Sequence, residues 1–98
     1  TIARRYATPV GELDLVMRDG DTVVFVEVKT VRDARLADPH EHLRPAQQRH
    51  LLKAARWFLE HRRWTDRPCR YDVVGVTLNP PAPPHIEHFP DAFAPDHW

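Results

Sequence analysis

The sequence predicts an α/β domain: a mixed β-sheet, made of an antiparallel hairpin plus a parallel crossover strand, flanked by helix. Three observations carry this expectation. Two apolar runs, 12–18 and 22–30, meet at Asp19-Gly20-Asp21, and Asp-Gly between such runs is the strongest short-range hairpin signal. From Pro45 to His61 the apolar positions Leu51, Ala54, Ala55, Phe58 and Leu59 follow the helical period of three and four. A third apolar run, 70–78, comes after that helix, and a helix leading from one strand to the next implies a parallel pair. The 98 residues suffice for one core, so residues 1–98 are expected to be a single domain.

Each element has a local reason. Tyr6-Ala7-Thr8-Pro9-Val10-Gly11 closes a short opening strand in a turn, because Pro9 lacks a donor and Gly11 tolerates angles that other residues avoid. Glu12 to Val16 alternates polar and apolar, as a half-buried strand does. Thr22 to Thr30 is rich in β-branched and aromatic residues and reads as a central strand buried on both faces. Residues 31–43 are polar and read as a loop. Pro45 suits a first helical turn. The run Arg70 to Leu78 is stopped by Asn79-Pro80-Pro81-Ala82-Pro83-Pro84, and His85 to Phe89 alternates as a last edge strand, with Phe93 anchoring the tail.

Composition removes several classes of function. No apolar run approaches the roughly 20 residues of a membrane-spanning helix, and the opening Thr1-Ile2-Ala3-Arg4-Arg5 shows no signal peptide, so no membrane partner is expected. The lone Cys69 allows neither an internal disulfide framework nor a cysteine zinc cage, which points to a reducing, cytoplasmic setting. Net charge is zero, yet residues 44–70 hold 8 Lys and Arg against 2 Asp and Glu. Arg49, Lys53 and Arg56 fall opposite the apolar stripe and form an exposed basic face, suited to nucleic-acid phosphate.

The chemistry-bearing residues gather on the hairpin. Glu27 and Lys29 share one face of their strand, and residues whose numbers sum to about 41 lie opposite each other across Asp19-Gly20-Asp21, which sets Asp14 against Glu27. Two carboxylates at one spot repel unless a cation or a shared proton lies between them. The set fits magnesium or manganese: Asp14 and Glu27 as oxygen ligands, the Val28 carbonyl as a third, and Lys29 to orient or deprotonate the attacking water and offset phosphate charge. A buried salt bridge between Lys29 and a carboxylate at a strand end is the alternative.

Val10 to Val16, the Asp19-Gly20-Asp21 turn, Val24 to Thr30, the helix Gln48 to Leu59 and Tyr71 to Val74 together resemble the YraN family of bacterial uncharacterised proteins, over about four fifths of the chain. The family's G-E-x-D and F-V-E-V-K segments, here Gly11-Glu12-Leu13-Asp14 and Phe25 to Lys29, resemble motifs of the PD-(D/E)xK superfamily. The resemblance implies a restriction endonuclease-like fold, Asp14 and Glu27 as metal ligands, Lys29 as catalytic lysine, and DNA, branched DNA included, as substrate. Family members open with an acidic helix before the first strand; this chain begins after that point, so the first helix is expected to be missing. Val31 and Gln47 stand where members carry Arg and Lys, which favours an inactive nucleic-acid or protein binding module of the same fold as the second reading.

Gln48 is a candidate to orient water or phosphate beside Lys29, with Gln47 next to it; hydrogen bonding within the first helical turn is the alternative. His40, His42 and His50 around Glu41 suggest zinc, but their spacing fits no closed four-ligand site. Trp57 and Trp64 offer base stacking or partial burial, and Asp72 a bond to a loop or to Arg70. The valine-rich strands give a third reading, a homodimer interface.

Overall fold

The computed structural model describes residues 1–32 and 43–93. Its elements run β1 (Ala3–Thr8), β2 (Gly11–Asp19), β3 (Thr22–Arg32), α1 (Pro45–His61), β4 (Cys69–Leu78) and β5 (His85–Phe93). They build one five-stranded sheet in the order β1-β2-β3-β4-β5. Every neighbouring pair is antiparallel except β3 and β4, which run parallel across the α1 crossover. The mixed sheet is therefore observed as the sequence implies. Gly20 turns the hairpin with φ 61, a conformation open to glycine at little steric cost. The hairpin ladder pairs Leu15 with Val26 and Asp19 with Thr22, the expected sum of 41.

The core lies between α1 and one face of the sheet. Leu51, Leu52, Ala54, Ala55, Phe58 and Leu59 of α1 are buried against Leu13, Val16, Val23, Phe25, Tyr71, Val73 and Phe93. Phe58 has no exposed surface and meets Tyr6 edge-on at 5.1 Å and Phe25 at 5.9 Å, geometries that aromatic quadrupoles favour. Phe25, Tyr71 and Phe93 stack in sequence across β3, β4 and β5, at 5.6 and 5.5 Å. Val23 to Val26 are buried on both faces, as their unbroken apolar run implies.

Two boundaries differ from the sequence reading. Strand β3 continues through Val31 and Arg32, residues assigned above to a loop, because β4 offers them Thr77 and Leu78 as partners. The rest of that expected loop, 33–42, lies outside the described residues, and so do His40, Glu41 and His42. Strand β5 runs on to Phe93 instead of stopping at Phe89. Pro90 cannot donate to a ladder, and the register shifts between Tyr71↔Phe93 and Val73↔Phe89 to pass it. Asp91 takes φ 52 within that irregularity, and its amide donates to Asp72 Oδ1 at 2.9 Å.

Asp72 is 1% exposed and also accepts from Arg70 Nε at 3.1 Å and His88 Nε2 at 2.7 Å, which is the Arg70 bond anticipated above. Burial alone raises its pKa. The Arg70 guanidinium, the Asp91 amide and His88 outweigh that effect and hold the carboxyl below its usual range. Trp57 stacks on His61 at 4.7 Å and Trp64 lies under Arg67 at 4.1 Å, so both rings are engaged within the chain. Among the described residues no helix is long and apolar enough to cross a membrane.

Phe58→Ala empties the space shared by Tyr6, Phe25 and Trp64 and is expected to cost roughly 3–5 kcal/mol in urea unfolding, with an unchanged slope. A loss under about 1 kcal/mol would contradict this packing.

Candidate active site

An irregularity in the outer half of the sheet builds the site. Leu13 and Val16 are both fully buried in the core beneath α1, although residues three apart on a regular strand point to opposite faces. The alternation therefore inverts between them, at Asp14. The partner strand inverts with it: Ala3↔Val16, Arg4↔Leu15 and Tyr6↔Leu13 keep one register, and the residue between the last two pairs, Arg5, has φ 45. A non-glycine residue held there costs about 1–2 kcal/mol, so the surrounding ladder must enforce it.

On the other side of β2 the ladder with β3 ends at Leu15↔Val26. Beyond that pair the Val28 amide donates to Asp14 Oδ2 at 2.9 Å, a side chain taking the place of a backbone acceptor. The amide and carbonyl of one strand residue leave the same side, so the Val28 carbonyl also faces Asp14. Val23 confirms the parity, since its amide bonds Pro68 on the β4 side. Glu27, one residue before Val28, feels the Asp14 charge and, with opposite sign, that of Lys29. The structure thus brings Asp14, Glu27, Val28 and Lys29 together, all half-buried.

Electrostatics at this corner are unfavourable for two carboxylates. Burial first and the neighbouring Asp14 charge second raise the Glu27 carboxyl, Lys29 only partly offsets them, and together they leave it pushed up to about 7. Among the described residues no group of three or more His, Cys, Asp or Glu side chains is placed to hold a metal ion. Two carboxylates with a backbone carbonyl make a donor set of hard oxygens, the set magnesium uses when waters and substrate complete its shell.

A cavity of about 200 Å³ opens beside Glu27, lined by Gly11, Glu12, Glu27, Gln47, His50 and Leu51. Gln48 is placed differently. Its amide donates to the Leu43 carbonyl at 2.9 Å, which ties down the chain entering α1. Gln47 Oε1 accepts the Arg44 backbone amide at 3.0 Å, which satisfies the N-cap amide of α1, and Gln47 is among the residues lining the cavity. Sequence reasoning left His50 in a zinc context and gave Glu12 no role, yet both line this cavity. Their helical and strand spacing to Gln47 and Asp14 was the available signal.

Arg49, Lys53 and Arg56 are exposed along one flank of α1, where with Leu52, Leu59, Glu60, Thr65 and Tyr71 they line a separate groove of about 570 Å³. Arg56 Nε donates to Glu60 at 2.9 Å, an exposed pair of small energetic weight. His85 and His88 stand on the edge strand β5, away from this cavity's lining.

The family model described as uncharacterised protein family UPF0102 matches residues 1–76. A UPF0102 protein of Chromohalobacter salexigens is 56% identical over 71 residues, which are 72% of this chain and 57% of that relative. A UPF0102 protein of Geotalea uraniireducens is 41% identical over 92 residues, 94% of this chain and 72% of the relative. One from Syntrophotalea carbinolica is 43% identical over 95 residues, 97% and 76% respectively. The chain thus spans only 57% of the length of the first of these relatives.

Glu27 yields a pH prediction. Between pH 4.5, the ordinary value, and about 7 the folded chain holds a proton that the unfolded chain releases, so the contribution of Glu27 to stability falls as pH rises through that window. Glu27→Gln is expected to stabilise the chain by on the order of 1–2 kcal/mol at pH 8, allowing for solvent screening, and to leave it unchanged near pH 4.5. Urea unfolding at the two pH values checks this; equal effects at both would refute it.

Proposed function

The chain belongs to the uncharacterised protein family UPF0102, and from that premise we propose that it is a divalent-metal-dependent endonuclease domain that hydrolyses phosphodiester bonds in DNA. The observation that carries this reading is the convergence of Asp14, Glu27 and Lys29 beside an open cavity, at the point where the β2–β3 ladder gives way. A pair of neighbouring, half-buried carboxylates with an ammonium beside them fits a divalent cation, because a cation offsets the burial and repulsion that otherwise favour a proton on Glu27. Asp14, Glu27 and the Val28 carbonyl would hold magnesium or manganese. When bound, the ion supplies charge stabilisation to the phosphate and acidifies a water.

The chain's own residues supply the rest. Lys29 lies on the same strand face as Glu27 and places an ammonium where the attacking water and the developing phosphate charge meet. Val28 fixes Asp14 by holding one of its oxygens, which leaves the other directed away from the backbone. Arg49, Lys53 and Arg56, exposed along α1, would carry the phosphate backbone to this corner, with branched DNA among the substrates. A cytoplasmic setting agrees with the lone free Cys69.

The neutral Val31 and Gln47 favour a second reading, a binding module without catalysis, because each stands where a cation could face phosphate. Cleavage separates the two. In manganese, the chain is expected to cut at least one of single-stranded, duplex and junction DNA, and Lys29→Ala and Asp14→Asn are each expected to lower the rate at least about a hundredfold. Equal cutting by Lys29→Ala would overturn the assignment of the site, and intact DNA throughout would leave the binding module.

A further inference from the structure

The cavity beside Glu27 has two chemically opposed walls. The sheet contributes the carboxylates Glu12 and Glu27; the helix contributes Gln47 and His50, one turn apart on the same flank of α1. Gln47 spends its carbonyl oxygen on the Arg44 amide, so the group it has left for a ligand is its NH2, a donor. His50 is brought close to the start of β2 because that strand opens with glycine: a Cβ on Gly11 would already sit 3.9 Å from the His50 carbonyl oxygen and from Ala54 Cβ. The helix thus lies against β2 next to Glu12, and His50, an exposed residue, forms part of the cavity lining.

We infer that His50 is a substrate-positioning residue, which with Gln47 donates hydrogen bonds to a non-bridging oxygen of the phosphate being hydrolysed; the inference rests on the nuclease reading above. Acid residues on one wall and donors on the other suit a ligand that is itself anionic but meets the acid wall through a cation. A phosphodiester group has that character, and its anionic non-bridging oxygens accept charge-assisted hydrogen bonds from such donors.

Size narrows the ligand further. About 200 Å³ corresponds to a handful of water molecules at roughly 30 Å³ each, and lies below the ~300–1,000 Å³ of sites that enclose drug-sized ligands. The cavity is open to solvent and has room for a phosphate with its hydration. Among the described residues that line it, Leu51 is the one large apolar side chain and none is an aromatic that could stack a base. Recognition at the cleavage point is therefore of the backbone and not of the base, and cutting is expected to be independent of base identity.

Steady-state cleavage of a labelled strand by the whole chain in manganese tests this. His50→Ala is expected to raise KM about tenfold while kcat stays within about twofold, and His50→Gln, which keeps a donor, to recover most of the loss. A strand with an abasic residue at the cut position is expected to be cleaved within about threefold of the normal rate. Because His50 is exposed, its replacement leaves the core intact, and an unchanged thermal midpoint checks that. An unchanged KM in His50→Ala, an equal defect in His50→Gln, or a loss of more than about tenfold on the abasic strand overturns the inference while the nuclease reading stands. If the intact chain cuts nothing, the nuclease reading fails and the role of His50 with it.

Discussion

The bond from the Val28 amide to Asp14 is the contact on which the rest of the site depends. A central strand cannot leave a half-buried amide unpaired without a cost of about 1–3 kcal/mol, so where the β2–β3 ladder ends something must accept it. Asp14 does so with a side chain, which lets β2 turn away from β3 while the sheet remains satisfied. The turning away exposes the Val28 carbonyl side, frees the strand corner for Glu27 and Lys29, and makes the cavity under α1. The inverted alternation at Arg5 and Asp14 is the same event seen from β1. Asp72 repeats the device at the other edge, where its carboxylate accepts the Asp91 amide freed by the shifted β5 register.

The two carboxylates differ in what surrounds them. Asp72 is balanced by Arg70, by His88 and by the Asp91 amide, and so serves the fold. At Asp14 the added neighbour is another carboxylate, Glu27, which burial and the Asp14 charge together push up to about 7 because Lys29 does not balance them. A local cost of this kind persists only because the aromatic and aliphatic core elsewhere holds the strands in place. Helix α1 serves both ends of this arrangement: Phe58 and Leu51 pack the sheet, while Gln47 and His50 face the corner the sheet leaves open.

Much of this arrangement was legible in the residues. The Asp-Gly turn set the hairpin register by simple symmetry as far as Leu15↔Val26; Asp14 lies just past that last pair, bonded to the Val28 amide instead of paired with Glu27 in the ladder, and the three-and-four spacing of apolar residues placed α1 from Pro45 to His61. The extra length of β3 was hidden because Val31 and Arg32 are strand residues only by virtue of β4 beside them. The continuation of β5 past Pro90 was hidden because a bulge, sealed by a residue 19 positions away, is needed to pass the proline. Gln48 looked like a site residue from its place on the helix, and its bond to Leu43 shows that the choice between neighbouring glutamines turns on the path of the chain entering α1. The place of His50 in the cavity lining follows from the close approach of α1 to Gly11, a tertiary distance with no local signature.

The central claim, that Asp14 and Glu27 form a divalent-cation site, is tested most directly by titrating the chain with manganese in a calorimeter at pH 7. One saturable site is expected in the intact chain, with proton release on binding because Glu27 must ionise, and its loss in Asp14→Asn. Absence of saturable binding, or binding that survives Asp14→Asn unchanged, would contradict the claim and leave the pair as a structural feature of the strand corner.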